Sequence, residues 1–167
     1  ADIELTRRHL ERHAPHIQLL VASSGDDVLA RLQPPSSETT GREQPCDVLL
    51  LDFNLPGENA LEVLKVLRHE RRLELPVVLV TGHGDEEVAA QALRAGATDY
   101  IVKNAGYLYE LPAALENAYV RVRLAREQAA LRASEARFRR LAENAPDLIY
   151  RYSFVPEWHF EYVSPAA

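Results

Sequence analysis

One stretch limits the folds open to this chain more than any other: VLLLDFNLPG, Val48 to Gly57. Four apolar residues, Val48 to Leu51, lead to a carboxylate, Asp52, and Leu55-Pro56-Gly57 then turns the chain away. A short, wholly apolar run reads as a strand buried on both faces, the habit of parallel sheets covered by helices. An acid at the carboxyl end of such a strand lies where open α/β sheets place their chemistry.

The flanking sequence repeats the theme. Residues 2 to 13 predict a short amphipathic helix with Ile3, Leu5, Thr6 and Leu10 toward one face, stopped by Pro15. Ile17 to Ala22 has the length and composition of a strand, and the Ser23-Ser24-Gly25-Asp26-Asp27 run offers a cap for a helix through Leu32. Residues 33 to 46 hold three prolines and no periodicity, which predicts a solvated surface loop. Beyond Gly57 a helix starts at Glu58 or Asn59, with Leu61, Val63, Leu64 and Leu67 inward, and ends near Arg72. Pro76 to Val80 is a second wholly apolar strand. Asp85 caps the next helix, with Val88, Ala89, Ala92 and Leu93 facing in and Gly96 closing it; Thr98 to Lys103 is a last short strand. Apolar strands alternating with amphipathic helices predict an α/β fold, a doubly wound parallel sheet with helices on both faces.

From Leu108 the pattern changes to strong helix formers, and the next break is Asn144-Ala-Pro-Asp147. About 35 helical residues at 1.5 Å each span roughly 50 Å, more than one small domain buries. Leu111, Leu115, Ala118 and Val122 have the spacing of a helix on a globular core, whereas Leu124, Leu131 and Phe138 recur every seven residues. Val120 and Leu141 add to that seam, and Glu127 and Ser134 interrupt it, so a short coiled coil competes with a single helix bearing a wide stripe. Residues 148 to 154 and 158 to 164 alternate as a hairpin, with Val155-Pro156-Glu157 at the bend. The organisation expected is a globular domain over 1–122, a helical linker over 123–143, and the start of a second domain over 144–167. The chain contains no methionine, so a fragment is expected, with a first strand left upstream.

Bulk numbers exclude several classes. Net charge is −6, which leaves no electrostatic footprint for nucleic acid or anionic membrane. No apolar run approaches the roughly 18 residues of a membrane span, and no signal-peptide pattern opens the chain. A single cysteine, Cys46, excludes an internal disulfide. A cytoplasmic protein is the expectation.

Three strand ends, Asp52, Thr81 and Lys103, would project from one edge of a parallel sheet. A carboxylate can attack a phosphoryl group and form an acyl phosphate. A hydroxyl can hydrogen-bond the added oxygens, and an ammonium can neutralise them. Asp52 in LLLDFNLPG, Thr81 in VLVTGHGDEE and Lys103 in ATDYIVK together resemble the receiver domain of two-component response regulators, over roughly residues 1 to 122. The resemblance implies a flavodoxin-like sheet of five strands and phosphorylation of Asp52 by a histidine kinase or phosphotransfer protein. It also implies movement of Thr81 toward the phosphoryl group, contact from Lys103, and a switching role for Tyr100. Magnesium would be held by Asp52, the backbone carbonyl of Asn54 and an acidic pair. Alignment puts that pair immediately before Ala1, outside the chain, so magnesium binding is expected to be weak or absent. Where the family usually has a proline after the lysine, Asn104-Ala105-Gly106 follows here.

The tail is similar to a second family. Ser134 to Phe138, Leu141 to Asp147 and Phe160 to Pro165 look like the opening of a PAS sensory domain. The function these resemblances imply is a phosphoryl-accepting module that signals through its last helix to a PAS domain and further output. A homodimer through the linker would be the transmitter. Catalysis beyond self-phosphorylation is not expected; the parent protein would be a hybrid histidine kinase or a cyclic-dinucleotide enzyme. Three other readings compete: a receiver-like module that acts by contact without phosphorylation, a small phosphate-ester hydrolase, and a structural coiled-coil adaptor. Asn54, two residues after Asp52, removes the second acid a hydrolase would want. His69, His83 and Cys46 read as ordinary surface, loop and strand-flanking residues.

Overall fold

The α/β alternation takes shape in a computed structural model that describes residues 2–32, 45–54, 59–82, 86–144 and 150–163. The chain divides into two compact units, Ala1–Arg123 and Leu124–Ala167.

In the first unit, β1 (Leu49–Asp52), β2 (Val77–Thr81) and β3 (Asp99–Val102) form a parallel sheet in the order β1-β2-β3. Leu51 lies beside Leu79 and Asp52 beside Val80; Val80 lies beside Ile101 and Thr81 beside Val102. Successive strand residues point to opposite faces, and the core splits accordingly. On one face Leu51, Val77 and Leu79 pack with α2 (Gly25–Arg31), α3 (Ala60–Lys65) and α4 (Glu86–Arg94). On the other, Val78 and Ile101 pack with Leu10 and Ala14 of the α1 region (α1, Asp2–His13) and with Leu111, Leu115 and Ala118 of α5 (Tyr107–Glu143). Every residue of β2 is buried, as a central parallel strand requires.

Ile17–Ala22, expected as a strand, is not one; it runs as irregular chain. Among the described residues it pairs with none of the sheet strands, and a strand exists only with a neighbour to bond. The buried face of α1 is Thr6 and Leu10, while Ile3 and Leu5 are exposed. Leu93, expected inward on α4, is likewise exposed. The loop over 33–44, the Leu55-Pro56-Gly57 turn, His83 and the Asp85 cap lie outside the described residues.

Local chemistry explains the helix ends. Ser24 accepts the Asp27 N–H across the first turn of α2, and Asn59 accepts the Leu61 N–H at the start of α3. The helix after Asn59 widens into a π turn at Val66–Glu70 before it stops. Arg72, at φ +53°, closes it in the left-handed region, and the Leu73 N–H reaches back to the Leu67 carbonyl.

Arg68 staples this corner. Its guanidinium donates to the carbonyls of Gly96, Leu73 and Leu75, tying the helix end to the approach of β2 and the exit of α4. Gly96 itself has φ +99°, and a Cβ there would lie 3.0 Å from Arg68 Cγ. Gly96→Ala is therefore expected to destabilise by about 1–2 kcal/mol, from left-handed strain plus displacement of the Arg68 stem. A urea melt of the variant checks it; an unchanged midpoint would count against the close approach.

In the second unit, β4 (Tyr150–Ser153) and β5 (His159–Val163) pair as an antiparallel hairpin. Phe138, placed in the heptad seam by its spacing, lies against the hairpin: its ring is 6.0 Å from that of Tyr162, with the Arg151 guanidinium 5.2 Å away over its face. It stays partly exposed, as do Val120, Leu124, Leu131 and Leu141. The opposite face of the hairpin holds Tyr152, Phe154, Trp158 and Phe160 in ring contacts, edge-on except for the tilted Tyr152–Phe160 pair.

Candidate functional site

Parallel pairing brings the three strand ends together. Asp52 ends β1, Thr81 ends β2, and Lys103 follows β3 by one residue. Two backbone bonds continue the ladder past the strands: the Phe53 N–H to the Val80 carbonyl and the Lys103 N–H to the Thr81 carbonyl, both 2.8 Å. The side chains at this edge are thus held on rigid backbone.

Lys103 Nζ lies 2.6 Å from Asp52 Oδ2, and both side chains remain partly open to solvent. The Asn54 N–H donates to Asp52 Oδ1 at 3.2 Å. Each carboxylate oxygen thereby has a donor, one of them charged. Reasoning from sequence assigned Asn54 a carbonyl role and missed its N–H; the Asp-x-Asn spacing, common in turns where an Asp accepts a backbone N–H two residues on, was the available signal.

Thr81 is different. It is 1% exposed, and its Oγ1 is enclosed with no hydrogen-bond partner among the described residues. Buried hydroxyls are normally satisfied. Tyr100 lies on β3 beside Leu79 and is partly exposed, so it is accessible at the sheet's edge. Cys46 is half-buried, and burial pushes its thiol above the usual range, with the charge of Asp47 adding to the effect. A protonated thiol is a poor nucleophile.

Magnesium prefers six oxygen ligands, with several waters and one or two carboxylates. This edge offers the Asp52 carboxylate, already engaged by Lys103 and Asn54, and the Asn54 carbonyl. Among the described residues no group of three His, Cys, Asp or Glu could hold a metal ion. The Asp52 carboxylate and the Asn54 carbonyl are the described groups that would face a magnesium ion at this edge.

Comparison with known proteins agrees with this architecture. The family model for the response regulator receiver domain matches residues 3–116. The methanogenesis regulatory protein FilR1 of Methanothrix harundinacea (strain 6Ac) is 32% identical over 126 residues, 75% of this chain and 27% of the relative. The TorCAD operon transcriptional regulatory protein TorR of Escherichia coli O157:H7 is 40% identical over 86 residues, 52% of this chain and 36% of the relative. This chain thus spans about a quarter to a third of the length of these relatives. The crystal structure of the receiver domain of NtrX from Brucella abortus superposes with a TM-score of 0.56 at 28% identity, covering 71% of this chain and 90% of that one. No helix among the described residues is long and apolar enough to cross a membrane. With the family model covering residues 3–116 and the strand-end residues gathered at one sheet edge, the chain belongs to the response regulator receiver domain family.

Proposed function

We propose that this receiver accepts a phosphoryl group on Asp52, with Thr81 and Lys103 as its partners and Tyr100 as the residue that follows the state of Thr81. The observation that supports this most is the Thr81 hydroxyl. Burying a hydroxyl with no partner costs about 1–3 kcal/mol, which a valine of the same shape would avoid. A phosphoryl group on the neighbouring strand end gives that hydroxyl an acceptor.

In the step itself, an Asp52 carboxylate oxygen attacks phosphorus. The new O–P bond forms as the bond to the donor breaks, and the leaving group, an imidazole or a small carboxylate, takes the electron pair. Lys103, 2.6 Å from Oδ2, moves from the carboxylate to a phosphoryl oxygen as charge shifts outward, while Thr81 donates to another. The donor is a histidine kinase or phosphotransfer protein. Asp52 and the Asn54 carbonyl are the groups here that would face magnesium, which neutralises phosphoryl charge when bound. Incubation of the chain with acetyl phosphate and magnesium tests the reading: a hydroxylamine-labile phosphoryl on Asp52 is the expected product, and its persistent absence would sink the switch.

The output we infer runs along α5 into the Leu124–Ala167 unit, read as the opening of a PAS domain. Exposed Val120, Leu124 and Leu131 support a dimer through 123–143, and engagement of Phe138 by the hairpin makes that seam short. A weak parallel homodimer follows. Light scattering over a concentration series is expected to show reversible dimerisation that Leu131→Glu removes; a monomer at every concentration would rule the dimer out.

A further inference from the structure

Two of the chain's six histidines, His9 and His13, fall one turn apart on α1. Residues four apart on a helix share one face. Their rings are stacked, with centroids 4.5 Å apart and planes inclined by 29°. Tyr109, in the first turn of α5, meets both rings edge-on, 4.7 Å from His9 and 5.7 Å from His13. His9 is half-buried, and its Nε2 is enclosed without a hydrogen-bond partner among the described residues. Like the Thr81 hydroxyl, it is a polar atom whose burial nothing nearby repays. His13 is exposed, and Tyr109 is 72% exposed, so its ring can swing aside.

We propose that His9 and His13 form a two-imidazole site for a divalent transition ion of the copper, nickel or zinc class. Histidines at i and i+4 are the arrangement by which one helix presents two nitrogen ligands to one metal. Modest side-chain rotation turns stacked rings into converging ones, and coordination gives His9 the partner it lacks. Imidazole selects these ions, whereas magnesium wants oxygen donors. No third His, Cys, Asp or Glu joins the pair among the described residues, so water completes the shell and the ion exchanges readily. Tyr109 acts as a positioning residue. Its ring contacts both imidazoles and yields as they converge, which couples occupancy of the site to the first turn of α5.

Copper(II) titrated into the full chain, followed by calorimetry and electron paramagnetic resonance, tests this. One saturable equivalent is expected, with hyperfine structure from two nitrogens, affinity falling from copper to nickel and zinc, and no competition from excess magnesium. His13→Gln, at an exposed position, is expected to keep the fold and weaken binding by at least about tenfold, since losing a ligand costs no less than losing an outer-shell partner. It also reduces the nitrogen count to one. His9→Gln gives the same loss, and His16→Gln, three residues beyond the pair, changes nothing. Undiminished binding in His13→Gln, an equal loss in His16→Gln, or uptake without a saturable equivalent (an adventitious ion only) overturns the proposal.

Discussion

Asp52→Asn is expected to abolish acyl phosphate formation outright while leaving the fold intact. An amide oxygen carries no charge with which to attack phosphorus, and Asp52 is the carboxylate that Lys103 holds at the end of β1. Intact mass after incubation with acetyl phosphate and magnesium, before and after hydroxylamine, reads the result; label retained at wild-type level would remove Asp52 from its role. Thr81→Val separates function from packing. Because Oγ1 has no partner among the described residues, this variant is expected to be as stable as the wild type or more stable by up to about 1 kcal/mol. The same variant should lose phosphoryl occupancy. A clear loss of stability in Thr81→Val would mean that the hydroxyl is already satisfied and not waiting for a ligand.

The second large effect lies away from the site. Arg68→Ala is expected to cost about 3 kcal/mol, because it strips three backbone carbonyls of a charged donor and leaves them part-buried. That is a large share of the roughly 5–15 kcal/mol that holds a domain folded. Arg68→Lys should recover little, since one ammonium cannot reproduce a fork that reaches three acceptors. The urea midpoint measures both variants, and a midpoint within error of wild type for Arg68→Ala would refute the staple. Gly96 supplies one of these carbonyls, so the Gly96→Ala and Arg68→Ala effects are not expected to add.

The strands that read most clearly in the sequence are the ones buried on both faces. Val77 to Val80 could be identified because a wholly apolar run bounded by Pro76 and Gly82 suits little else. Ile17–Ala22 reads equally well and is no strand, because a strand exists only with a neighbour to bond. Spacing placed Thr6 and Leu10 on the inner face of α1 but also counted Ile3 and Leu5, and nothing local separates them. Tertiary packing separates them: Leu10 joins Leu111, Leu115 and Ala118 of α5 in one core cluster. Phe138 shows the same limit: its heptad spacing suggests a partner helix, whereas the contact described is with Tyr162 and Arg151 of its own hairpin.

By itself the sequence determined the broad alternation of strand and helix, the cap regions at Ser23–Asp27 and at Glu58 or Asn59, and the identity of the strand-end trio. These depend on periodicities of 2 and 3.6 residues and on short-range turn chemistry, which act over a few residues of chain. Only the tertiary structure decided that Lys103 pairs with Asp52 across 51 residues of sequence, and that the Thr81 hydroxyl is buried without a partner among the described residues. It likewise decided that Arg68 joins three segments and that His9 and His13 stack beneath Tyr109. Each of these is a matter of which atoms meet after the chain has closed on itself, and contact across that distance has no local signature.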